Sequence, residues 1–233
     1  MIDFGAAMYI EDDFCPSLRA LLNAETIVGK TGKVFGRDML ASNSTKNNLI
    51  TLTRLMMEHR PERTLEVGFA FGASALVFTD GHRKLGHQGQ RHVAIDPWES
   101  DGWDNIGLEN IKREGLLEYL DFRAALSALE LPHLLGQGAT FDMIYIDGSH
   151  DFDDVFVDAY YSGRLLSPGG IMLLDDSPHA PIAKVVRLLR KDRRLTEVDL
   201  GRYRTGSSLM IYRIAKLLNR IQLTAFQSVA TSK

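Results

Sequence analysis

Acidic side chains directly follow two apolar segments in the second half of the chain. Asp147 comes after FDMIYI, while Asp175 and Asp176 come after GGIMLL. If these segments are neighbouring parallel strands, their carboxylates share one cleft and repel one another unless a cation or protein donors compensate them. Mg²⁺ takes oxygen ligands and keeps water or substrate oxygens in its shell. We therefore predict a magnesium site at these three residues; the alternative is that Asp175 or Asp176 caps the next helix and Asp147 contacts a cofactor.

A histidine lies three residues beyond Asp147, in DGSHDF. An unperturbed imidazole has a pKa of about 6.5, so His150 could take a hydroxyl proton near neutral pH. We predict His150 and Asp147 as catalytic residues, with His179 in DDSPHAP as a weaker second base. The alternative is that His150 is only a hydrogen-bonding residue of a surface turn. No histidine or cysteine spacing is typical of a zinc site.

The run TLEVGFAFGASAL has the form of a strand, a glycine turn and a helix. Small residues in such a turn let backbone N–H groups approach a ligand at the carboxyl edge of a sheet. A dinucleotide fingerprint would need glycine at positions 70 and 73, where this chain has alanine. The negative charge of Glu66 would repel a pyrophosphate and attract the ammonium or sulfonium group of a ligand such as S-adenosylmethionine. The alternative is that Glu66 caps a helix or pairs with a surface cation.

These residues lie in a chain that alternates short β-rich runs with helical patterns, which is typical of βαβ units and a parallel sheet. The predicted strands are Arg63–Val67, Arg91–Asp96, Tyr119–Arg123, Phe141–Asp147 and Gly170–Asp176. The runs LTEVDL and SSLMIYRI, separated by GRYRTG, predict an antiparallel hairpin that brings the sheet to seven strands. The fold class is therefore α/β, a Rossmann-like and mostly parallel sheet with a C-terminal antiparallel hairpin.

We divide the chain into an N-terminal helical cap or lid (1–60), a core (61–213) and a C-terminal amphipathic helix with its tail (214–233). The cap contains predicted helices at 17–26 and 45–59. Its GKT at 29–31 is not expected to be a phosphate-binding P-loop, because residue 24 is alanine where the motif needs glycine. The C-terminal helix, predicted at 213–226, would pack on its own domain or on a second copy, giving a homo-oligomer, rather than on a membrane surface.

The composition excludes several classes of protein. The 233 residues carry a formal charge of -3, so no overall basic field attracts nucleic acid. No apolar run approaches the roughly 18 to 20 residues that span a bilayer. The single Cys15 cannot form an intrachain disulfide, and the first residues lack the pattern of a secretory signal. We expect a cytoplasmic protein.

The motifs together resemble a known family. LEVGFAFGAS is similar to motif I of the class I S-adenosylmethionine-dependent methyltransferases, and FDMIYIDGSHDFDDV and LLSPGGIMLLDD extend the resemblance from about Thr45 to Arg213. The branch most similar is that of the small-molecule O-methyltransferases related to catechol O-methyltransferase and to the sugar O-methyltransferases of antibiotic pathways. The resemblance implies a seven-stranded sheet with a reversed terminal hairpin.

The resemblance also implies a cofactor site. Asp96, at the end of the second strand, would accept hydrogen bonds from the ribose hydroxyls. Leu126 and Ser127 would lie beside the adenine, although this stretch departs from the family's usual Gly-Asp-Ser pattern. The residues implied at the methionine end of the cofactor are Glu66, Gly68, Gly72 and Ser74.

The predicted function is therefore transfer of a methyl group from S-adenosylmethionine to a hydroxyl of a small molecule such as a sugar, a phenol or a natural product, with magnesium assisting. Two alternatives remain open. One is an NAD-dependent oxidoreductase, and the other is a cofactor-binding scaffold without turnover.

Overall fold

The computed structural model describes residues 13–40 and 43–229. The predictions for the first twelve residues of the cap, for residues 41 and 42 and for the last four residues of the tail lie outside this part of the chain. The strands are β1 (Ile27–Val28), β2 (Val34–Phe35), β3 (Thr64–Val67), β4 (His92–Ile95), β5 (Leu120–Arg123), β6 (Phe141–Ile146), β7 (Leu166–Leu174), β8 (Leu195–Val198) and β9 (Thr224–Ser228). The helices are α1 (Pro16–Asn23), α2 (Arg37–Leu40), α3 (Lys46–His59), α4 (Ala73–Lys84), α5 (Ile106–Arg113), α6 (Ser127–Gly136), α7 (Phe152–Leu165), α8 (Ala180–Leu189) and α9 (Gly206–Leu217).

Seven of these strands form the central sheet, in the order β5-β4-β3-β6-β7-β9-β8. Strands β5, β4, β3, β6 and β7 pair in parallel, whereas β9 is antiparallel to both β7 and β8. Because each parallel connection crosses over through a helix, both faces of the sheet are covered. The predicted seven-stranded, mostly parallel α/β fold with an antiparallel end is confirmed.

The sheet separates two apolar layers, and strand β3 contributes to both. Leu65 and Val67 face a layer formed with α6, α7 and α8. Thr64 and Glu66 face the opposite way, toward the layer that contains α3 and α4, because successive side chains of a strand alternate between faces. Both are completely buried. A carboxylate on a strand with two buried faces costs free energy unless it has a partner or a ligand.

The second strand of the antiparallel end is not where we predicted it. The run SSLMIYRI at 207–214 lies in helix α9, and the strand is β9, inside the segment predicted as the terminal amphipathic helix. A strand between two others must be buried on both faces, and Thr224, Ala225 and Phe226 are buried. By contrast, Met210 and Ile211 are exposed. A short apolar run does not choose between helix and strand by itself.

The N-terminal cap packs along the α3 and α4 side of the sheet. Helix α3 begins after Thr45, whose side chain accepts a hydrogen bond from the Asn48 backbone N–H. The GKTGK run is the turn between β1 and β2, and Lys33 Nζ donates to the Gly102 carbonyl at 2.8 Å. Thr31 donates its backbone N–H to Asp104 Oδ2 at 2.8 Å. This run is therefore a β-hairpin turn rather than a P-loop.

Within the residues that the structure describes, no helix is both long enough and apolar enough to cross a membrane.

Candidate active site

A cavity of about 740 Å³ opens at the carboxyl edge of the sheet, above the ends of β3, β4, β6 and β7. Open α/β sheets bind their ligands at this edge, and the volume lies in the usual range for small-molecule sites. The structure brings most of the predicted site residues together here. Those that line the cavity are Gly68, Asp96, Leu126, Ser127, Asp147, His150, Asp175 and Asp176, with His179.

The loop between β3 and α4 forms one wall of the cavity. Gly68 has φ +92°, and a Cβ at this position would lie 2.2 Å from the Asp147 carbonyl oxygen, so no other residue fits. Asp96 Oδ2 accepts hydrogen bonds from the backbone N–H groups of Phe69 and Ala70 at 2.9 and 3.1 Å. Its Oδ1 accepts from the Trp98 N–H at 2.8 Å. Asp96 therefore fixes the loop, and its ribose contact stays a prediction.

Three residues predicted at the methionine end do not line the cavity. Gly72, with φ +78°, is the residue before α4, and Ser74 is buried in the first turn of that helix. Glu66 is completely buried below the loop, and neither of its carboxylate oxygens has a hydrogen-bond partner among the described residues. His92 Nε2 lies 3.3 Å from Glu66 Oε1. Contact of these residues with a cofactor stays a prediction.

Three acidic residues, Asp147, Asp175 and Asp176, form the opposite wall, and we call them the carboxylate cluster. Asp175 is held on all sides. Its oxygens accept from Asn48 Nδ2 at 2.8 and 3.1 Å, from the Tyr145 hydroxyl, and from the backbone N–H of Asp176 at 2.8 Å. Burial raises the pKa of Asp175 above its usual value. Asp175 thus serves to attach helix α3 to the end of β7.

Asp147 is bound by two hydroxyl groups. Ser44 donates to Asp147 Oδ2 at 2.8 Å, and the Tyr145 hydroxyl lies 3.3 Å from the same oxygen and 2.8 Å from Ser44 Oγ. Ser44 and Tyr145 have two hydroxyl protons for four contacts with each other and with the two carboxylates, so the network has room for a carboxyl proton. Accordingly, removal from water, with the Asp175 charge added, raises the pKa of Asp147 well above its usual range.

Asp176 orients the predicted base. Its Oδ2 lies 3.0 Å from His150 Nε2, and Gln222 donates from Nε2 to its Oδ1. His150 Nδ1 lies 3.2 Å from His179 Nδ1. Asp176 has φ +48°, the left-handed region that non-glycine residues seldom occupy. Sequence reasoning missed Ser44 and Gln222, because a single serine or glutamine outside a motif carries no signal of its long-range position.

The residues whose ligand atoms the structure groups together differ in one member from the predicted set of Asp147, Asp175 and Asp176, and a metal site stays a prediction. Ligand atoms of Asp147, His150 and Asp176 all lie within 4.8 Å of one another. Asp175 already accepts hydrogen bonds from Tyr145 and Asn48, so it holds the neighbouring residues in place and is not a member of this set. Two carboxylates and an imidazole are a donor set that divalent cations accept.

The charge of the cavity wall is one-sided. It carries the carboxylates of Asp96, Asp154 and the carboxylate cluster, and no lysine or arginine is among its described lining residues. Trp98 and Trp103 also line it, and the Trp98 side chain is 60% exposed. Such a wall repels phosphate or carboxylate groups and favours a cationic ligand with a flat ring system.

Comparisons by sequence point to one family. Residues 65–177 match a family model described as a methyltransferase domain. The chain is 28% identical over 128 residues to O-methyltransferase hkm8 from Aspergillus hancockii, a match that covers 55% of this chain. The chain spans about half the length of that curated relative, 48%.

Comparisons by structure agree in fold. A putative O-methyltransferase from Klebsiella pneumoniae has a TM-score of 0.65 at 17% identity, covering 93% of this chain and 91% of that one. The O-methyltransferase from Bacillus cereus, solved in complex with S-adenosylhomocysteine, has a TM-score of 0.61 at 19% identity, covering 82% and 84%. Residues 65–177 of this chain therefore match a methyltransferase domain, the chain has the fold of these solved structures, and its sequence is similar to that of an O-methyltransferase.

Proposed function

We propose that the protein transfers a methyl group from S-adenosylmethionine to a hydroxyl group of a small molecule. The observation that carries this proposal is the acidic cavity, with no lysine or arginine among its described lining residues, at the glycine loop of a methyltransferase domain. The complex of the Bacillus cereus relative with S-adenosylhomocysteine supports the choice of cofactor. A sugar, a phenol or a natural product hydroxyl is the acceptor class we expect.

The cavity suits a cationic nucleoside cofactor better than a dinucleotide. When bound, S-adenosylmethionine supplies an electrophilic methyl group on a positively charged sulfur. Asp96 would accept from the ribose, Leu126 and Ser127 would border the adenine, and the carboxylates favour the positive charge. NAD would bring two negative phosphates against the same carboxylates. The alanines at positions 70 and 73 also lack the glycines of a dinucleotide loop.

The chain's own groups supply orientation and a proton acceptor. His150 is held by Asp176 at 3.0 Å on one ring nitrogen and faces His179 at 3.2 Å on the other. A neutral imidazole in this position can take the proton of an acceptor hydroxyl that sits in the cavity. Holding the acceptor oxygen in line with the methyl group then accounts for much of the rate.

A divalent cation, with magnesium as our first choice, fits the same wall. Asp147, His150 and Asp176 would hold it, and Asp175 would support them. A bound cation lowers the pKa of a coordinated hydroxyl and so makes the oxyanion accessible near neutral pH. In this version His150 is a ligand, and in the metal-free version it is the base, so the two versions differ in their response to a chelator.

Calorimetry tests the cofactor first. We expect binding of S-adenosylmethionine and S-adenosylhomocysteine and none of NAD; the reverse pattern would favour the oxidoreductase alternative. Transfer of a labelled methyl group into a small-molecule extract then tests turnover. Binding of the cofactor without transfer to any acceptor would leave the scaffold alternative.

A further inference from the structure

A line of polar side chains connects buried Glu66 with the surface at the edge of the sheet opposite the cavity. His92 Nε2 faces Glu66 Oε1 at 3.3 Å, and His92 Nδ1 lies 2.9 Å from Thr64 Oγ1. Thr64 Oγ1 lies 2.9 Å from His82 Nε2, and His82 Nδ1 lies 2.9 Å from His87 Nδ1. We call His92, Thr64, His82 and His87 the histidine relay.

The relay meets solvent only at its far end. Thr64, Glu66, His82 and His92 are completely buried, whereas the His87 side chain is 13% exposed. There, His87 Nε2 lies 3.7 Å from the carboxylate of Glu62, an exposed residue. Neither Glu66 oxygen nor His92 Nε2 makes a hydrogen bond among the described residues, so the 3.3 Å approach of His92 Nε2 to Glu66 Oε1 is the polar contact at the inner end.

Proton counting gives the relay a direction. A carboxylate only accepts, so beside ionised Glu66 the neutral His92 must carry its proton on Nε2. Its Nδ1 then accepts from the Thr64 hydroxyl, whose oxygen in turn accepts from His82 Nε2–H. His82 Nδ1 is left to accept from His87 Nδ1–H. Counted from Glu66, one set of tautomers satisfies the three contacts at 2.9 Å, and it leaves His87 Nε2, 3.7 Å from Glu62, as the position for a further proton.

We propose that His92 is the positioning residue of Glu66, and that Thr64, His82 and His87 fix its tautomer and exchange a proton between Glu66 and solvent. This proposal rests on the proposed function, because it takes Glu66 as a residue at the methionine end of the cofactor. Through the relay, the charge of Glu66 adjusts to a cationic ligand without opening the core. Neither a ligand nor a metal need be bound for the relay to exist.

The proton movement balances along the relay. A proton from solvent binds His87 Nε2, and the proton on His87 Nδ1 passes to His82 Nδ1. The proton on His82 Nε2 passes to Thr64, the Thr64 hydroxyl proton passes to His92 Nδ1, and the proton on His92 Nε2 passes to Glu66. At the end Glu66 is neutral, all three histidines are again neutral with the opposite tautomers, and one proton has been taken up.

The relay packs against aromatic rings and meets one charged pair at its outer end. Phe78 of α4 stacks on the His92 ring at 4.8 Å, and Tyr145 of β6 is the register partner of Glu66. Arg91 and Glu62 are the charged groups at the outer end, where Arg91 Nη1 lies 3.4 Å from Glu62 Oε2. Burial, with the neighbouring histidines and Arg91 added, lowers the pKa of His82 to about 3. His82 is therefore a neutral donor and acceptor rather than a fixed cation.

Nitrogen NMR of histidine-labelled, ligand-free protein tests the relay directly, because ring ¹⁵N shifts distinguish the tautomers. We expect protons on Nε2 of His92 and His82 and on Nδ1 of His87. A His92 ring protonated on Nδ1 alone would overturn the proposal. This measurement needs no cofactor, so it stands even if S-adenosylhomocysteine fails to bind and the proposed function is wrong.

Thr64→Val tests the transfer, because it keeps the shape and removes the hydroxyl that joins the two halves. In the wild type, acidification of the solvent should move the His92 ring signals through the relay; in Thr64→Val this coupling should be lost. Thr79→Val is the control, since Thr79 is equally buried and bonds only to the Ala75 carbonyl. Coupling that survives in Thr64→Val would contradict a relay.

The positioning role has its own readout. His92→Leu should weaken S-adenosylhomocysteine binding about tenfold, because Glu66 loses the polar ring that lies 3.3 Å from its carboxylate. His92→Gln, which presents an N–H in a similar place, should restore affinity to within about twofold. Equal losses of affinity in both variants, with the fold intact by circular dichroism, would mean that His92 acts only through packing.

Discussion

Two groups of ionisable side chains lie at opposite ends of the parallel strands, and they compensate charge in different ways. The carboxylate cluster brings acidic groups together at the open edge, where hydroxyl groups and an amide donate hydrogen bonds to them. The histidine relay joins groups that can each donate and accept, and its members past Glu66 are paired at 2.9 Å. The first group faces the cavity, where it can take up a cation or a substrate proton, whereas the second lies in the core and ends at Glu66, whose carboxylate oxygens have no hydrogen-bond partner among the described residues.

The difference should appear as opposite responses to pH. For Asp147 and Asp175 the pKa in the folded state is raised, so the stability they contribute is greatest in acid and is lost as the pH rises. For His82 the pKa in the folded state is lowered, so its contribution is present near neutral pH and is lost as the pH falls below about 6.5. His82 of the relay therefore stabilises the folded protein most near neutral pH, whereas the carboxylate cluster stabilises it most at acidic pH.

Removal of the metal should have the largest effect on turnover if the carboxylate cluster binds a cation. Chelation should then abolish turnover while S-adenosylhomocysteine still binds, and Mg²⁺ should restore activity. Asp176→Asn should raise the Mg²⁺ concentration needed for half activity. Full activity in metal-free enzyme would instead leave His150 as the base. The measurement is methyl transfer to an identified acceptor across a chelator and Mg²⁺ titration.

Asp147→Asn should lower turnover by about 10² to 10⁴, since Asp147 is either a metal ligand or the neighbour of the base. The same change should not lower the free energy of unfolding near neutral pH, because it removes a charge that burial disfavours. Asp101→Asn, at an exposed position, is the matched control. A variant that loses stability and turnover together would make Asp147 part of the scaffold instead.

Asp96→Ala should raise the dissociation constants of S-adenosylmethionine and S-adenosylhomocysteine by similar factors, roughly tenfold to a hundredfold, because the two share the ribose. Calorimetry measures both. Loss of only one of the two affinities would contradict the ribose assignment. Because Asp96 also holds the N–H groups of Phe69 and Ala70, some loss of stability should accompany the change.

His82→Gln should act on the pH dependence of the free energy of unfolding. Below about pH 6.5, and down toward about 3, His82 makes the wild type lose roughly 1.4 kcal/mol of unfolding free energy per pH unit. The glutamine variant should lack this part of the slope. His133→Gln, at an exposed position, should keep it. Urea unfolding at a series of pH values measures the slope of unfolding free energy against pH. Identical slopes in the wild type and both variants would show that His82 does not contribute to the pH dependence of stability.

Local patterns carried most of the architecture. The alternation of strand and helix signals, the glycine loop and the acids at the ends of β6 and β7 follow from side-chain periodicity and turn chemistry, which act within an element. Strand β9 was missed for the same reason. Burial between β7 and β8 makes residues 224–226 a strand, and that burial is a long-range property.

The sequence by itself determined that this chain forms a parallel sheet with carboxylates at its functional edge, because each of those features is written in neighbouring residues. Only the tertiary structure decided which carboxylates stay open. Asn48, 127 positions from Asp175, donates its side-chain amide to both oxygens of that residue. It also decided that Thr64, His82 and His92 meet, since 18 and 28 positions separate the two histidines from the threonine. Packing of α4 against β3 and β4 brings these distant residues together. Local periodicity does not predict which distant residues will be in contact.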